Sequence, residues 1–178
     1  SGGGRRAHWA DRRPGGGGVF IIRGLPVSGK PEGNGMSGNS VNFLLVEDDD
    51  VDAEGVRRAF RKDTIANPLF HARDGVEALE MLRGENGHEK LEPPYLFLVD
   101  INMPRMNGIS FLEEVRSDEN LRRTVAFVLT TSKREEDKMS AYDFNVAGYV
   151  LKSKVGNDFM EMVSMLDKYW RVVEFPSG

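Results

Sequence analysis

The sequence predicts an α/β domain, a doubly wound five-stranded parallel sheet with helices on both faces. Three observations predict it. Apolar strand-like runs alternate with helix-like stretches five times between Val41 and Val172, the pattern of a parallel sheet with right-handed crossovers. The middle run, Tyr95 to Val99, is apolar or aromatic at every position, as a strand buried on both faces must be. The chain of 178 residues, 39% hydrophobic and 29% charged, suffices for one ordinary core.

The elements follow in order. Phe43 to Val46 form an apolar strand that ends in Glu47-Asp48-Asp49-Asp50. Val51, Val56, Ala59 and Phe60 then recur at helical spacing to about Lys62, with Asp49 or Asp50 as N-cap. Asn67-Pro68 breaks the chain, Leu69 to Ala72 make a short strand, and Asp74-Gly75 turns it. Val76, Leu79 and Leu82 mark a second helix, ended by Gly84. A polar loop over 84–94 leads to the Tyr95 strand, which stops at Asp100. Pro104 and Asn107-Gly108 then supply the turn chemistry before a third helix with Ile109, Leu112 and Val115. Val125 to Leu129 give a fourth strand, ending at Thr130-Thr131. Residues 133–144 read as a charged helix with Met139, Tyr142 and Phe144 inward. Ala147 to Leu151 are the fifth strand, ending at Lys152. Phe159, Met162, Val163, Leu166, Tyr169 and Trp170 stripe the last helix.

Residues 1–40 are a different kind of sequence. Eleven of the 20 glycines precede Met36. Such a stretch cannot bury enough surface to offset its ordering entropy, so a disordered leader over 1–40 is expected, with the domain over 41–172 and a short tail over 173–178. The leader holds six Lys/Arg against two acidic residues, while the remainder carries a net charge of −8. An acidic body offers no electrostatic footprint for nucleic acid. Gly24-x-x-x-x-Gly29-Lys30 has the skeleton of a phosphate-binding loop. Pro31 stands where a hydroxyl should follow and a helix should open, which argues against that function. No cysteine is present, which excludes disulfides, thiolate zinc sites and cysteine nucleophiles. No run of about 18 apolar residues exists to span a membrane. A cytoplasmic setting is the expectation.

In a parallel sheet every carboxyl end lies on one rim, where open α/β folds bind ligands. That rim collects Glu47 and Asp48, Asp100, Thr130 and Lys152. Taken singly, an acidic run is usually a solvated face, a strand-end Thr a cap and a Lys an exposed charge. Together they suit phosphoryl chemistry. Clustered carboxylates repel one another and gain from a hard cation such as Mg²⁺. A hydroxyl and an ammonium suit a bound phosphoryl group, whose transfer asks mainly for positioning and charge neutralisation. Asp100 can itself be the nucleophile and form an aspartyl phosphate.

The blocks LLVEDDD, LVDINMPRMNG, VLTT and GYVLKS resemble, in order and spacing, those of the receiver domains of two-component response regulators, from about Val41 to Trp170. The resemblance implies a flavodoxin-like sheet of order 2-1-3-4-5. It implies a phosphoprotein of phosphorelay signal transduction, not an enzyme beyond its own phosphorylation and dephosphorylation, with Asp100 accepting a phosphoryl group from a histidine kinase. By the same resemblance Glu47, Asp48, Asp100 and the Asn102 backbone carbonyl hold Mg²⁺. Thr130 and Lys152 contact the phosphate. Tyr149 is the aromatic switch residue, expected to move inward as Thr130 turns toward the phosphate. Ser153 stands where the family usually has proline, Thr131 where many members have a small residue, and the 84–94 loop is longer than in minimal receivers. This combination is similar to receivers paired with phytochrome-type kinases. No output domain is expected after Trp170, so signalling would run through an unidentified downstream protein or phosphotransfer partner. Tyr169, Trp170, Val172, Val173 and Phe175 either close the core or present a homodimer face on the last helix.

Two rivals are weaker. A haloacid-dehalogenase-like phosphatase also uses a strand-end aspartate, but needs a second Asp where Asn102 stands. A degenerate receiver acting as a phosphorylation-independent binding module is opposed by the intact rim.

Overall fold

The computed structural model describes residues 19–20, 41–154 and 159–176. Its strands are β1 Val19–Phe20, β2 Asn42–Val46, β3 Leu69–Ala72, β4 Tyr95–Val99, β5 Val125–Thr130 and β6 Gly148–Leu151. Its α-helices are α1 Asp50–Lys62, α2 Gly75–Arg83, α3 Gly108–Ser117, α4 Glu135–Asp143 and α5 Met160–Val172. The sheet order is β1-β3-β2-β4-β5-β6. The five strands from β2 onward pair in parallel, so they keep the expected 2-1-3-4-5 order. The leader expected to be disordered over 1–40 is corrected at Val19–Phe20, which start an apolar run and pair as β1, antiparallel, with the outer edge of β3. Apart from those two residues, the expected leader over 1–40 and its Gly24–Lys30 motif lie outside the described residues.

The alternation within each strand divides the core in two. Along β4, Leu96 and Leu98 face one layer while Tyr95, Phe97 and Val99 face the other, and all five are buried. Strand β2 splits the same way, with Phe43 and Leu45 opposite Leu44 and Val46. Helices α1 and α5 cover the first face, where Phe43 meets Phe60 edge-on at 5.1 Å. Helices α2, α3 and α4 cover the second. Each fully buried Leu or Phe contributes about 1.5–3 kcal/mol, so the central strands hold the rim from below.

Local signals set the helix ends. Asp49 is the N-cap of α1 and accepts from the Val51 and Asp52 amides. Asp74 caps α2, Asn107 caps α3, and Gly84 ends α2 with φ +72°. The 84–94 loop closes on the core through buried Leu91, and its Pro93–Pro94 peptide is cis.

Three inward assignments are corrected. Val51 is 75% exposed, because capping by Asp49 turns Ala53, Val56, Ala59 and Phe60 to the sheet instead. Met139 and Tyr142 also face out, and Ala141 is the buried residue of α4. That helix carries no apolar stripe, so one small side chain sets its close approach to the sheet. Phe144, just past its end, does pack against the core. At the other end of the domain, Tyr169 meets Phe127 edge-on at 5.3 Å and Phe175 at 6.2 Å. Trp170 packs on the same layer, and Val172 points outward.

Candidate functional site

Each strand of the parallel sheet except β3 delivers a side chain to one rim. Glu47 and Asp48 follow β2, Asp100 follows β4, Thr130 ends β5 and Lys152 follows β6. Glu47, Asp100 and Thr130 are buried, whereas Asp48 is exposed. One oxygen from each of Glu47, Asp48 and Asp100 lies within 4.8 Å of the others. The Lys152 ammonium reaches Glu47 Oε2 at 2.7 Å and Asp100 Oδ2 at 3.5 Å. Asp100 Oδ1 accepts from the Ile101 amide at 2.7 Å. Asn102 is exposed in the loop beyond.

That loop folds tightly. The Gly108 amide donates to the Ile101 carbonyl at 2.9 Å. A Cβ on Gly108 would sit 2.1 Å from the Asp100 carbonyl oxygen, so only glycine allows α3 to begin there. Arg105 Nε donates to the buried Asp74 carboxylate at 2.6 Å, tying the loop to the start of α2.

The rim crowds carboxylates against one another. Burial, with repulsion from Asp100, pushes the Glu47 carboxyl up from 4.5 to about 7 despite its bond to Lys152. Burial alone would lower the Lys152 ammonium, but hydrogen bonds to Asp52 and Glu47 raise it further. Three carboxylates converging within 4.8 Å, one of them buried and reluctant to ionise, fit a hard divalent cation with oxygen ligands. Residues Glu47, Asp48 and Asp100 would supply those oxygens.

Three further residues enter the site without having been expected. Asp52, in the first turn of α1, takes a second 2.7 Å bond from Lys152. His71 on β3 is buried between Glu47 and Arg57. Its Nε2 lies 2.7 Å from the Glu47 carbonyl and its Nδ1 lies 2.7 Å from the Arg57 guanidinium. Burial lowers the ring's pKa, and a neutral tautomer that donates from Nε2 satisfies both contacts. Ser132 joins two expected residues: its amide donates to Thr130 Oγ1 at 3.2 Å, and its carbonyl accepts from the Tyr149 hydroxyl at 3.0 Å. Tyr149 is thus half-buried against the core. A signal for Asp52 did exist in the run of acidic residues, but the facing direction depends on which residue caps the helix.

Such a rim has the chemistry to receive a charged phosphoryl group beside a nucleophilic carboxylate. Comparisons with known proteins identify the family. The family model of the response regulator receiver domain matches residues 43–164. The chain is 34% identical over 128 residues to the response regulator Rcp1 of Synechocystis sp., covering 72% of this chain and 87% of that protein. The Mn²⁺-bound form of Rcp1 superposes with a TM-score of 0.69 at 33% identity, over 76% of this chain and 99% of that one. The phosphorylated cyanobacterial phytochrome response regulator RcpA superposes with a TM-score of 0.70 at 32% identity, over 77% and 99%. With two thirds of its length matched by the family model and its five parallel strands in the family's order, the chain belongs to the response regulator receiver domains.

Proposed function

We propose that this response regulator accepts a phosphoryl group on Asp100 from a histidine kinase, in a Mg²⁺-dependent reaction, and thereby switches its binding of a partner. In the transfer an Asp100 carboxylate oxygen forms a bond to phosphorus. The bond from phosphorus to the donor imidazole nitrogen breaks, and that nitrogen keeps the electron pair. Glu47, Asp48, Asp100 and the Asn102 carbonyl would hold Mg²⁺, which when bound supplies positive charge beside the phosphoryl oxygens. Lys152 would meet a phosphoryl oxygen from the β6 side. The Thr130 hydroxyl would meet another, giving up its acceptor role toward Ser132.

The observation that carries the reading is the convergence on Asp100 of Lys152, 3.5 Å from its Oδ2, and of Glu47 and Asp48, whose oxygens lie within 4.8 Å. Thr130 and Tyr149 both bond to Ser132, so a turn of the Thr130 hydroxyl would reach the aromatic switch through one residue. Likeness to RcpA and to the bacteriophytochrome response regulator RtBRR, at 30% identity and a TM-score of 0.63, supports a phytochrome-type kinase as the donor. Among the described residues no helix is long and apolar enough to cross a membrane.

The test is incubation with a small phosphodonor and Mg²⁺, read by intact mass. The native chain is expected to gain one phosphoryl group and Asp100→Asn none. An equal gain on Asp100→Asn would place the nucleophile elsewhere and sink the reading.

A further inference from the structure

We propose that Asp52 is a positioning residue that restrains Lys152 from the phosphoryl group on Asp100, acting as a built-in brake on the switched state. This rests on the phosphoryl-acceptor reading above.

Lys152 is held by two short contacts and one long one. Its Nζ is 2.7 Å from both Glu47 Oε2 and Asp52 Oδ2, but 3.5 Å from Asp100 Oδ2. The long contact lies outside the range of a good N–H···O bond. The ammonium is therefore committed to Glu47 and Asp52. Two of these carboxylates already have a role at the site: Asp100 is the acceptor, and Glu47 faces the cation position. Asp52 sits outside the group whose oxygens converge within 4.8 Å, and Lys152 is its ion-pair partner in the structure. It is a third of the way exposed on the first turn of α1. The turn is fixed by Asp49, whose carboxylate takes the Val51 and Asp52 amides and leaves the Asp52 side chain over the rim.

A cation held by Glu47, Asp48 and Asp100 would compete with Lys152 for the Glu47 carboxylate, which would leave Asp52 as the chief rival of the phosphoryl oxygens for Lys152. Two consequences of losing the Asp52 charge have the same sign. The ammonium is released toward Asp100, and one negative charge leaves the neighbourhood of an incoming anion. Asp50 supplies an internal control. It lies in the same first turn, but its carboxylate pairs with Arg73 at 3.0 Å.

The experiment measures binding of beryllofluoride, a phosphoryl mimic, to the full chain with saturating Mg²⁺. Asp52→Asn is expected to tighten binding about three- to tenfold, while Asp50→Asn changes it by less than about twofold. Asp52→Ser, which removes the carboxylate by a different shape, is expected to match Asp52→Asn. Thermal melting of each variant reports on folding. A simple structural role for Asp52 predicts weaker binding and a lower melting point, and that result overturns the proposal. So does unchanged affinity, or an equal gain for Asp50→Asn, which would be a general field effect. Failure of the native chain to bind the mimic would instead reject the acceptor reading itself.

Discussion

Replacing Glu47 with glutamine should make the metal-free protein more stable at pH 8 and abolish its response to Mg²⁺. The Glu47 carboxyl is 1% exposed, and its pKa is pushed up from 4.5 to about 7, by burial first and by Asp100 second. A group held above its unfolded pKa favours the fold only while protonated. Stability is therefore lost as pH rises from about 4.5 through 7, and the loss is complete above that window. The rise corresponds to about 3 kcal/mol between the ionised and neutral forms, as an order of magnitude. Glutamine copies the charge of the neutral form and keeps one acceptor oxygen, which serves the Asp49 amide while its N–H₂ takes the place of the oxygen that met Lys152. Because its amide N–H₂ also crowds Lys152, a gain of about 1–3 kcal/mol at pH 8 is expected, shrinking to near zero at pH 4.5. The assay is urea unfolding with a chelator, at both pH values. Added Mg²⁺ should stabilise the native chain by mass action, more at pH 8 than at pH 5.5, and leave Glu47→Gln unmoved. A variant no more stable than the native chain at pH 8 without metal would refute the claim that this rim is strained by its own charge.

Three other perturbations separate the parts of the site. Asp48→Asn should lose Mg²⁺ binding and hence phosphodonor-dependent mass gain, with little change in stability because Asp48 is exposed. Lys152→Ala should still take up a phosphoryl group but fail to switch; a lost charge-assisted contact is worth about 1.5–3 kcal/mol, readable as loss of the conformational response in amide chemical shifts. Gly108→Ala places a methyl 2.1 Å from the Asp100 carbonyl oxygen, which is backbone and cannot swing aside. It should cost about 1–3 kcal/mol or more in urea unfolding and slow phosphorylation by displacing Asp100.

The parts legible in the sequence are those fixed by strand periodicity. An unbroken apolar run specifies a strand buried on both faces, and Val99 is followed at once by Asp100 at the rim. Strand ends then place Glu47, Thr130 and Lys152 without further information. Helix faces were harder. One rotation of about 100° per residue decides which side chain of Asp48 to Asp52 meets Lys152, and that phase is set by the Asp49 cap. The same phase carried Val51 outward. In α4 the residues Met139 and Tyr142 looked like a stripe, but the helix is held by Ala141 and by the apolar layer around Phe144 and Val146. His71 reaches Glu47 and Arg57, and Ser132 reaches Tyr149, by contacts between separate segments, for which the local sequence carries no signal. Strand β1 is two residues long and edge-paired, and its short apolar run was outweighed by the glycine-rich sequence around it.

The unfavourable electrostatics follow from the task proposed for the site. Three carboxylates, Glu47, Asp52 and Asp100, surround one ammonium, and Asp48 stands beside Glu47 and Asp100, on a rim whose floor is apolar. Swapping some for neutral residues would suit the metal-free fold, as the Glu47→Gln argument makes quantitative. The retained repulsion would favour a divalent cation, whose binding would relieve it while the buried strands hold the rim in place. The excess also bears on the phosphorylated form. In the proposed reaction a phosphoryl group would bring further negative charge to a place where, beside a bound cation, Lys152 would have to meet it, and that lysine is already shared. Its balance between Asp52 and the phosphoryl oxygens would then set how far the proposed switch is thrown. Lys152 is bonded to β2 and α1 through Glu47 and Asp52, so its movement would alter the seating of β6, the strand that carries Tyr149. A change of a few ångströms in one ammonium would thereby be felt on the face formed by α4 and β6, where Met139 and Tyr142 stand exposed.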